Sequence, residues 1–281
     1  MAAIVETGLD RSICVWNVSN GELLAHHKHK MDSGRELCDV FFNSRDELIT
    51  EDMHGRGFDP PTRFFRRNPI SGVELGKLHV AHILSAGPVL IRQARAIAIA
   101  SENTVEIFDD TLIGKRRSIP CKNISSLAAA PDGKRLAIGT SRGEVLFLNL
   151  ENDKLSDPIK IGKQGLWQIV WSGDGALFTT IADDGRLSTL RTDGSMQAST
   201  TDKAPLPIGC AFTKDNTEMV IVGSDRNLTL LSAADHSVRA TRKVDKKCYV
   251  SLSRDGKYLV IESAKGELII TSAELKSRDA D

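Results

Sequence analysis

A repeat of about 40 residues runs along this chain and restricts its possible folds more than any other feature. A short polar turn ending in Asp-Gly or Asp-Asn recurs after each of four anchor residues, Ala129, Trp171, Phe212 and Leu252. The anchors are 42, 41 and 40 residues apart. Because Gly and Asn accept a positive φ at little cost, each turn predicts a hairpin between two strands.

Two further strands follow each anchor at constant spacing. The strand nearest the anchor is predicted at RLAIGT (135–140), ALFTTIA (176–182), EMVIVGS (218–224) and YLVIES (258–263). The next strand ends 19 residues after the anchor, at Leu148, Leu190, Leu231 and Thr271. A more variable stretch, such as DPIKIG (157–162) or SVRATRK (237–243), then leads into the next unit. Each unit is therefore predicted to hold four short strands.

The same spacing extends into the N-terminal half. Equivalent strand ends fall at residues 16, 67, 108, 148, 190, 231 and 271, so the steps are 51, 41, 40, 42, 41 and 40 residues. The second unit spans 25 residues from its anchor Phe42 to Arg67, where the four C-terminal units span 19. Seven units are thus predicted, one of which carries six extra residues.

A four-stranded antiparallel sheet cannot bury both of its faces alone, whereas several sheets stacked around an axis can. Apolar residues alternate with a period of two and β-branched residues are common, which argues against helical repeats. We therefore predict an all-β fold, a seven-bladed β-propeller of four-stranded antiparallel blades. It is expected to form a single domain over residues 1–275, followed by a polar tail at 276–281.

The two ends of the chain predict incomplete terminal blades. The first unit opens on AAIVET (2–7), which matches the second strand of the other units, and the last unit ends after its third strand. Seven units of four strands would contain 28 strands. Without the first strand of the first unit and the fourth strand of the last unit, 26 strands remain. Either the ring closes imperfectly or the chain is a piece of a longer protein. An intact mass of the native protein with nothing upstream would remove the second alternative.

The sequence resembles the WD-repeat family over nearly its whole length. The resemblance rests on DRSICVWN (10–17) closed by SNG (19–21), on the Ala-Pro-Asp-Gly turn at 130–133 and on the repeat length. The literal Trp-Asp pair is replaced by Trp16-Asn17, Phe108-Asp109 and Leu148-Asn149. The resemblance implies a non-catalytic platform for protein–protein assembly.

Charge and cysteine usage exclude several classes of protein. Lysine plus arginine equals aspartate plus glutamate at 37 each, which argues against a globally basic nucleic-acid binder. The apolar runs are too short to span a bilayer, and the first seven residues lack the features of a secretory signal. The five cysteines are odd in number and scattered, so buried thiols in a reducing compartment are expected, cytoplasmic or alternatively nuclear.

Catalytic signals are weak. The chain has no Gly-x-Ser-x-Gly elbow, no phosphate-binding glycine loop and no His-Glu-x-x-His. The recurring Asp132, Asp174, Asp215 and Asp255 are expected to cap turns. The alternative is a lactonase- or hydrolase-type propeller with an axial metal, for which Glu51, Glu102, Asp183 and Glu262 lie near the ends of second strands.

A histidine cluster, His26, His27 and His29, is a second possible metal site, but it contains two lysines and no carboxylate. We expect no catalytic residue, no cofactor and no metal.

The inserted loop MHGRGFDPPTR (53–63) is the strongest candidate for partner binding. Aromatic and arginine residues dominate interface hot spots, and proline stiffens a loop. The predicted partner-binding residues are Arg56, Phe58, Pro60, Arg63 and, on a first strand, Trp167. The alternatives are a tolerated insertion and, for Trp167, packing against a neighbouring blade. Trp171, at an anchor position, is expected to lie in the core.

Three basic clusters could meet phosphate or an acidic partner, or could lie on solvated outer strands. They are Arg63, Arg66 and Arg67; Lys115, Arg116 and Arg117; and Arg242, Lys243, Lys246 and Lys247. Few aromatic residues lie among them, so stacking on bases has little support. The expected partner is a protein or peptide, not a nucleic acid, a membrane or a small-molecule substrate.

Overall fold

The computed structural model describes residues 2–6, 12–17, 20–28, 35–54, 62–80, 87–101, 103–200, 207–225, 227–243, 249–252, 258–262 and 268–272. Within these residues the chain folds into 26 β-strands, all paired antiparallel, and it forms no α-helix. No helix of the described part is therefore long and apolar enough to cross a membrane.

The chain divides into two compact parts, each of which contains several of the sequence repeats. Residues 1–127 are called the first unit of the structure and residues 128–281 the second unit. The first unit contains sheets 1 to 3. Sheet 1 consists of β1 (Ala2–Glu6), β2 (Ser12–Asn17) and β3 (Glu22–Lys28); sheet 2 of β4 (Arg35–Phe42), β5 (Leu48–His54), β6 (Thr62–Arg67) and β7 (Glu74–Val80); sheet 3 of β8 (Val89–Ile91), β9 (Ala96–Ser101), β10 (Thr104–Asp109) and β11 (Lys115–Pro120).

The second unit contains sheets 4 to 7, and its boundary falls inside the first strand of sheet 4. Sheet 4 consists of β12 (Ile124–Ala129), β13 (Arg135–Thr140), β14 (Glu144–Asn149) and β15 (Ile159–Lys160); sheet 5 of β16 (Leu166–Trp171), β17 (Leu177–Ala182), β18 (Leu187–Arg191) and β19 (Met196–Ser199); sheet 6 of β20 (Pro207–Phe212), β21 (Glu218–Gly223), β22 (Asn227–Ser232) and β23 (Val238–Lys243); sheet 7 of β24 (Tyr249–Leu252), β25 (Tyr258–Glu262) and β26 (Leu268–Ser272).

Each sheet is a meander in which consecutive strands are neighbours, and the repeat predicted its register. The first strands of sheets 4 to 7 end at the anchors Ala129, Trp171, Phe212 and Leu252. Each of the seven predicted strand ends lies at, or one residue before, the end of a third strand. The first and last sheets each have three strands among the described residues. The predicted all-β fold of short antiparallel sheets is thus confirmed, and the number of sheets is consistent with seven blades.

The turns after the anchors adopt the predicted conformation. Gly133, Gly175 and Asn216 have φ of 68°, 72° and 61°. In sheets 5 and 6 the preceding aspartate caps the turn: Asp174 accepts a hydrogen bond from the hydroxyl of Ser172, and Asp215 from that of Thr213. These hydrogen bonds hold the pKa of both carboxyls below its usual value. Asp132 accepts a bond from the Lys134 amide, whereas Asp255 lies outside the described residues.

An asparagine begins the turn between the third and fourth strands in sheets 2 and 4, at the position of the aspartate in a Trp-Asp pair. The side-chain oxygen of Asn149 accepts bonds from the amides of Glu151 and Asn152. Asn68 does the same for Ile70 and Ser71. Asn or Asp at this position therefore folds the turn by mimicking its backbone.

One of the core clusters of the second unit lies between sheets 4 and 5. Trp171 and Phe178 are buried there, and the Phe147 ring lies 5.7 Å from Trp171 and 5.4 Å from Phe178. The Trp171 indole donates a hydrogen bond of 3.1 Å to the carbonyl of Ala128. The indole therefore ties the first strands of two neighbouring sheets together, and the predicted core position of Trp171 is confirmed.

The first unit has an equivalent core across sheets 2 and 3. Phe64 and Ile97 are fully buried in it, with Phe108 beside them. Cys14 and Cys121 are buried, Cys210 is half-buried, and these three cysteines are free thiols.

Candidate functional site

A cleft of about 470 Å³ opens in the second unit at the end of sheets 4 and 5 where second strands turn into third strands. One wall is the segment that leads into β16, and the other is the turn between β17 and β18 together with the start of β18. The lining residues are Ile161, Gly162, Lys163, Gln164, Leu166, Ala182, Asp184, Arg186 and Ser188.

Two glycines allow the walls of this cleft to approach each other. Gly143 has φ of 74°, and a Cβ there would lie 2.6 Å from the carbonyl oxygens of Gly162 and Gln164. Its own carbonyl accepts bonds from the amides of Ile161 and Gly162. At Gly165 a Cβ would collide with the Asp183 carboxylate. The Asp183 amide in turn donates to the Gly165 carbonyl at 2.9 Å, so backbone contacts hold the cleft in shape.

Trp167 follows the cleft residue Leu166 and lies in a bulge at the start of β16. Leu166 pairs with Ala182 and Gln168 pairs with Ile181, so Trp167 is the extra, unpaired residue. A bulge re-aims a side chain that the regular pleat would have placed in the sheet. The Trp167 indole is 37 % exposed, whereas Leu166, which lines the cleft, is buried. Part of the Trp167 indole is therefore accessible at the surface.

The charges of the cleft are mixed, and one cation is free. Arg186 forms an exposed ion pair with Asp184 at 3.3 Å. Lys163 is exposed and has no ion-pair or hydrogen-bond partner among the described residues. Lys163, Gln164 and Arg186 therefore present hydrogen-bond donors to whatever enters the cleft.

Arg63, one of the predicted partner-binding residues, is already engaged inside the protein. Its Nε and terminal nitrogen donate to the two carboxylate oxygens of Asp52 at 2.9 and 2.7 Å. Asp52 is buried, and the Arg63 guanidinium also lies 5.5 Å from the centre of the Phe65 ring. The bidentate pair fixes the start of β6, immediately after the inserted loop. The other predicted residues of that loop, Arg56, Phe58 and Pro60, lie outside the described residues.

The remaining arginines of this basic cluster are also used internally. Arg66 donates to the carbonyls of Thr111 and Leu75, both at 2.9 Å. Arg67 stacks on Phe65 at 4.8 Å, and partial burial lowers its pKa. Arg242 and Lys243, of the third cluster, are exposed on β23.

Two of the carboxylates named for the enzyme alternative have described surroundings. Glu51 is buried within β5, and Asp183 is exposed in the turn after β17. Glu262 ends β25, and Glu102 lies outside the described residues. Among the described residues, no group of three His, Cys, Asp or Glu side chains is arranged to hold a metal ion.

The described histidines of the HHKHK run do not form a common site either. Adjacent residues of a strand point to opposite faces, which separates His26 from His27 in β3. The His27 ring instead bonds the Pro69 carbonyl at 2.8 Å, and His29 lies outside the described part.

Sequence reasoning missed the cleft and the bulge that exposes Trp167. The bulge recurs at one position of the repeat. Cys38 in sheet 2 and Ile208 in sheet 6 are likewise extra residues, and each lies four positions before its anchor. Trp167 stands four positions before Trp171. The recurring bulge therefore belongs to the repeat, and only the residue type at that position differs between units.

Comparison with known proteins identifies the fold. No family model matches the sequence, and no curated protein matches it either. Among solved structures, 1623 chains match. One comes from a structure titled "Crystal Structure of Mitotic Checkpoint Complex"; its TM-score is 0.75 at 16 % sequence identity, over 96 % of this chain and 83 % of that chain. At this identity the likeness establishes the propeller fold and nothing about activity.

Proposed function

We propose that this protein is a non-catalytic interaction module that binds a protein or peptide partner at the ends of its sheets where second strands turn into third strands. The observation that carries the proposal is the cleft of the second unit. The exposed Trp167 lies on a bulge next to the cleft residue Leu166, and Lys163 within the cleft has no partner among the described residues. Bulges that re-aim a side chain are common next to functional sites, and a tryptophan with an exposed indole is a typical interface anchor.

The inserted loop at 53–63 occupies the same position in its own sheet, between the second and third strands. The Arg63–Asp52 ion pair supports a role in positioning that loop, because it holds the residue at which the loop rejoins the sheet. We therefore propose that Arg56, Phe58 and Pro60 contribute contacts to the partner.

Capture of partners by the immobilised full chain, followed by mass spectrometry, tests the proposal. The variants are Trp167→Ala, Lys163→Glu and the double substitution Arg56→Ala with Phe58→Ala. Loss of a tryptophan hot spot costs about 2 kcal/mol of binding free energy, which weakens the affinity for the partner roughly 30-fold. We expect recovery of the specific partner to fall accordingly.

Met196→Ala and Val238→Ala are matched controls. Both replace exposed apolar side chains of the second unit. They lie at the end of the sheets opposite to the cleft, where third strands turn into fourth strands. Each variant is first checked for native circular dichroism. If every captured protein is retained by all three test variants, the proposed location is wrong; if the controls lose it equally, binding lies at the other end.

A further inference from the structure

Most of the exposed large hydrophobic side chains in the described part lie in the first unit. Of the eight exposed large hydrophobic residues in the described part, five lie at or beside the turns between third and fourth strands of sheets 1 to 3. They are Leu23, Ile70, Val73, Leu75 and Ile113, and Ile113 is 80 % exposed. Such a grouping marks an interaction surface more often than scattered single residues do.

Hydrogen bonds hold the ends of sheets 2 and 3 side by side. The buried Asn43 side chain donates to the Asp110 carbonyl at 3.0 Å, and the Ser44 amide donates to the Asp110 carboxylate at 3.0 Å. Arg66 adds a bond to the Thr111 carbonyl at 2.9 Å. These contacts tie together the turns that carry the apolar residues and the neighbouring turns that follow the first strands.

The turns that follow the first strands bring exposed arginines to the same end. Arg45, Arg92 and Arg95 are exposed, and none has an ion pair among the described residues. Asp46 is the exposed carboxylate of these turns, and Glu74 is balanced by the charge of Arg67. Cations are therefore in excess around the apolar group.

Backbone strain singles out one of these arginines. Arg95 has φ of 47°, at the turn position that Gly133, Gly175 and Asn216 occupy in other sheets. Holding a β-carbon in the left-handed region costs about 1 kcal/mol. The Arg95 side chain is exposed and therefore gains little from packing that could offset this cost. Local rules are broken in this way most often at functional positions.

We infer that the ends of sheets 2 and 3 form a second binding surface for an acidic, amphipathic protein segment. We call it the turn surface and define it by Arg45, Ile70, Val73, Arg92, Arg95 and Ile113. The guanidinium groups pair bidentately with aspartate or glutamate carboxylates, while the aliphatic side chains cover apolar residues of the segment.

The residue types of the turn surface favour a protein partner over the alternatives. Membrane-interface surfaces are enriched in Trp and Tyr, and single-stranded nucleic acid is bound by stacking on aromatic rings. The turn surface contains neither kind of group. A second copy of the chain would need a matching acidic patch, and the turn surface itself is basic.

Selection of a phage-displayed library of random peptides on the immobilised full chain tests this inference. We expect enriched peptides to combine Asp or Glu with bulky aliphatic residues. Synthetic copies of these peptides are then measured by fluorescence anisotropy against Arg45→Glu/Arg92→Glu and Ile70→Ser/Ile113→Ser. Each double variant is expected to weaken binding at least tenfold, and raised salt is expected to weaken it for the wild type.

A matched control is Val238→Ser/Arg242→Glu, which removes an exposed valine and an exposed arginine from β23 and is expected to change nothing. Enrichment of neutral or basic peptides overturns the inference, and so does undiminished binding by both double variants. It is also overturned if phosphatidylserine vesicles bind the surface as well as the peptides do, or if sedimentation shows a dimer that Arg45→Glu/Arg92→Glu dissolves. Because the cleft residues are untouched, these outcomes leave the proposed function to be judged separately.

Discussion

At the scale of single residues, five turns repeat one backbone conformation with different side chains. The residue four positions after the end of the first strand has a positive φ at Asp46, Arg95, Gly133, Gly175 and Asn216. In each, its amide donates to the carbonyl three residues earlier. Glycine, asparagine and aspartate tolerate this region, whereas arginine is strained there.

Replacing Arg95 by glycine is therefore expected to stabilise the protein by about 1 kcal/mol, because it removes the strain at the β-carbon. The measurement is the urea midpoint of unfolding, with Arg92→Gly as a control at a neighbouring position without positive φ. A lower midpoint for Arg95→Gly would show that the side chain contributes packing that outweighs the strain. If the turn surface binds as inferred, the same variant gains stability and loses affinity.

His236 is a second residue in the left-handed region, with φ of 58°, and it is buried. Its Nε2 bonds the hydroxyl of Thr189 at 2.8 Å, and Thr189 bonds Thr179 at 2.7 Å. Burial lowers the pKa of the imidazole, against a smaller opposing effect of Asp235. The unfolded chain therefore binds a proton on this group at a higher pH than the folded protein does.

This difference makes stability depend on pH. The contribution of neutral His236 is fully present above its unfolded pKa of about 6.5 and is lost as pH falls from there towards the folded pKa. His236→Asn, which tolerates the same φ, is expected to flatten the fall in unfolding free energy between pH 7.5 and 5.5, by up to about 1 kcal/mol. His79→Asn, at an exposed position, should leave the fall unchanged. An unaltered slope in His236→Asn would exclude His236 as its source.

At the scale of elements, close backbone approach decides which glycines matter. Gly143 and Gly21 have nearly the same φ, 74° and 73°. A Cβ at Gly21 meets nothing within 4 Å, whereas at Gly143 it would overlap two carbonyl oxygens of the segment leading into β16. A larger residue would be strained by the positive φ at both positions, but only at Gly143 would its Cβ also overlap neighbouring atoms.

Gly21→Ala is expected to lower the free energy of unfolding by about 1 kcal/mol, and Gly143→Ala by about 2–3 kcal/mol or more. Chemical denaturation of both variants against the wild type gives the comparison. Equal losses would mean that the 161–164 segment yields freely, and the wall of the cleft would then be less rigid than the contacts indicate. Gly143→Ala is also expected to reduce partner capture at the cleft, since that wall must move.

At the scale of the whole molecule, the meander order predicts a gradient of protection. Second strands such as β9, β13 and β21 are paired on both edges and almost wholly buried, while β23 is paired on one edge and exposed. Local opening needs least free energy where few buried contacts are lost. Hydrogen–deuterium exchange is therefore expected to be slowest in the second strands and fastest in the fourth strands of every four-stranded sheet. Uniform protection across β20 to β23 would contradict this ordering.

The repeat predicted the strands almost to the residue because its signals are local. Apolar alternation and the Asp-Gly or Asp-Asn turns act over fewer than ten residues, so the anchors and third-strand ends could be located without any contact information. Arg63 shows where this reasoning stops. A pattern can mark it as an available arginine, but only its distance to the buried Asp52 shows that it is committed to an ion pair.

The sequence alone thus predicted seven repeats, and it located the strands, the turns and the core position of Trp171. The tertiary structure decided the exposure of Trp167, the cleft beside it and the joining of the turns that form the turn surface. The physical reason is range: the bulge depends on how β16 pairs with β17, and the turn surface depends on bonds such as Asn43 to Asp110, which are 67 residues apart. A residue pattern fixes what lies within a strand or a turn, whereas packing between sheets fixes what is left exposed to a partner.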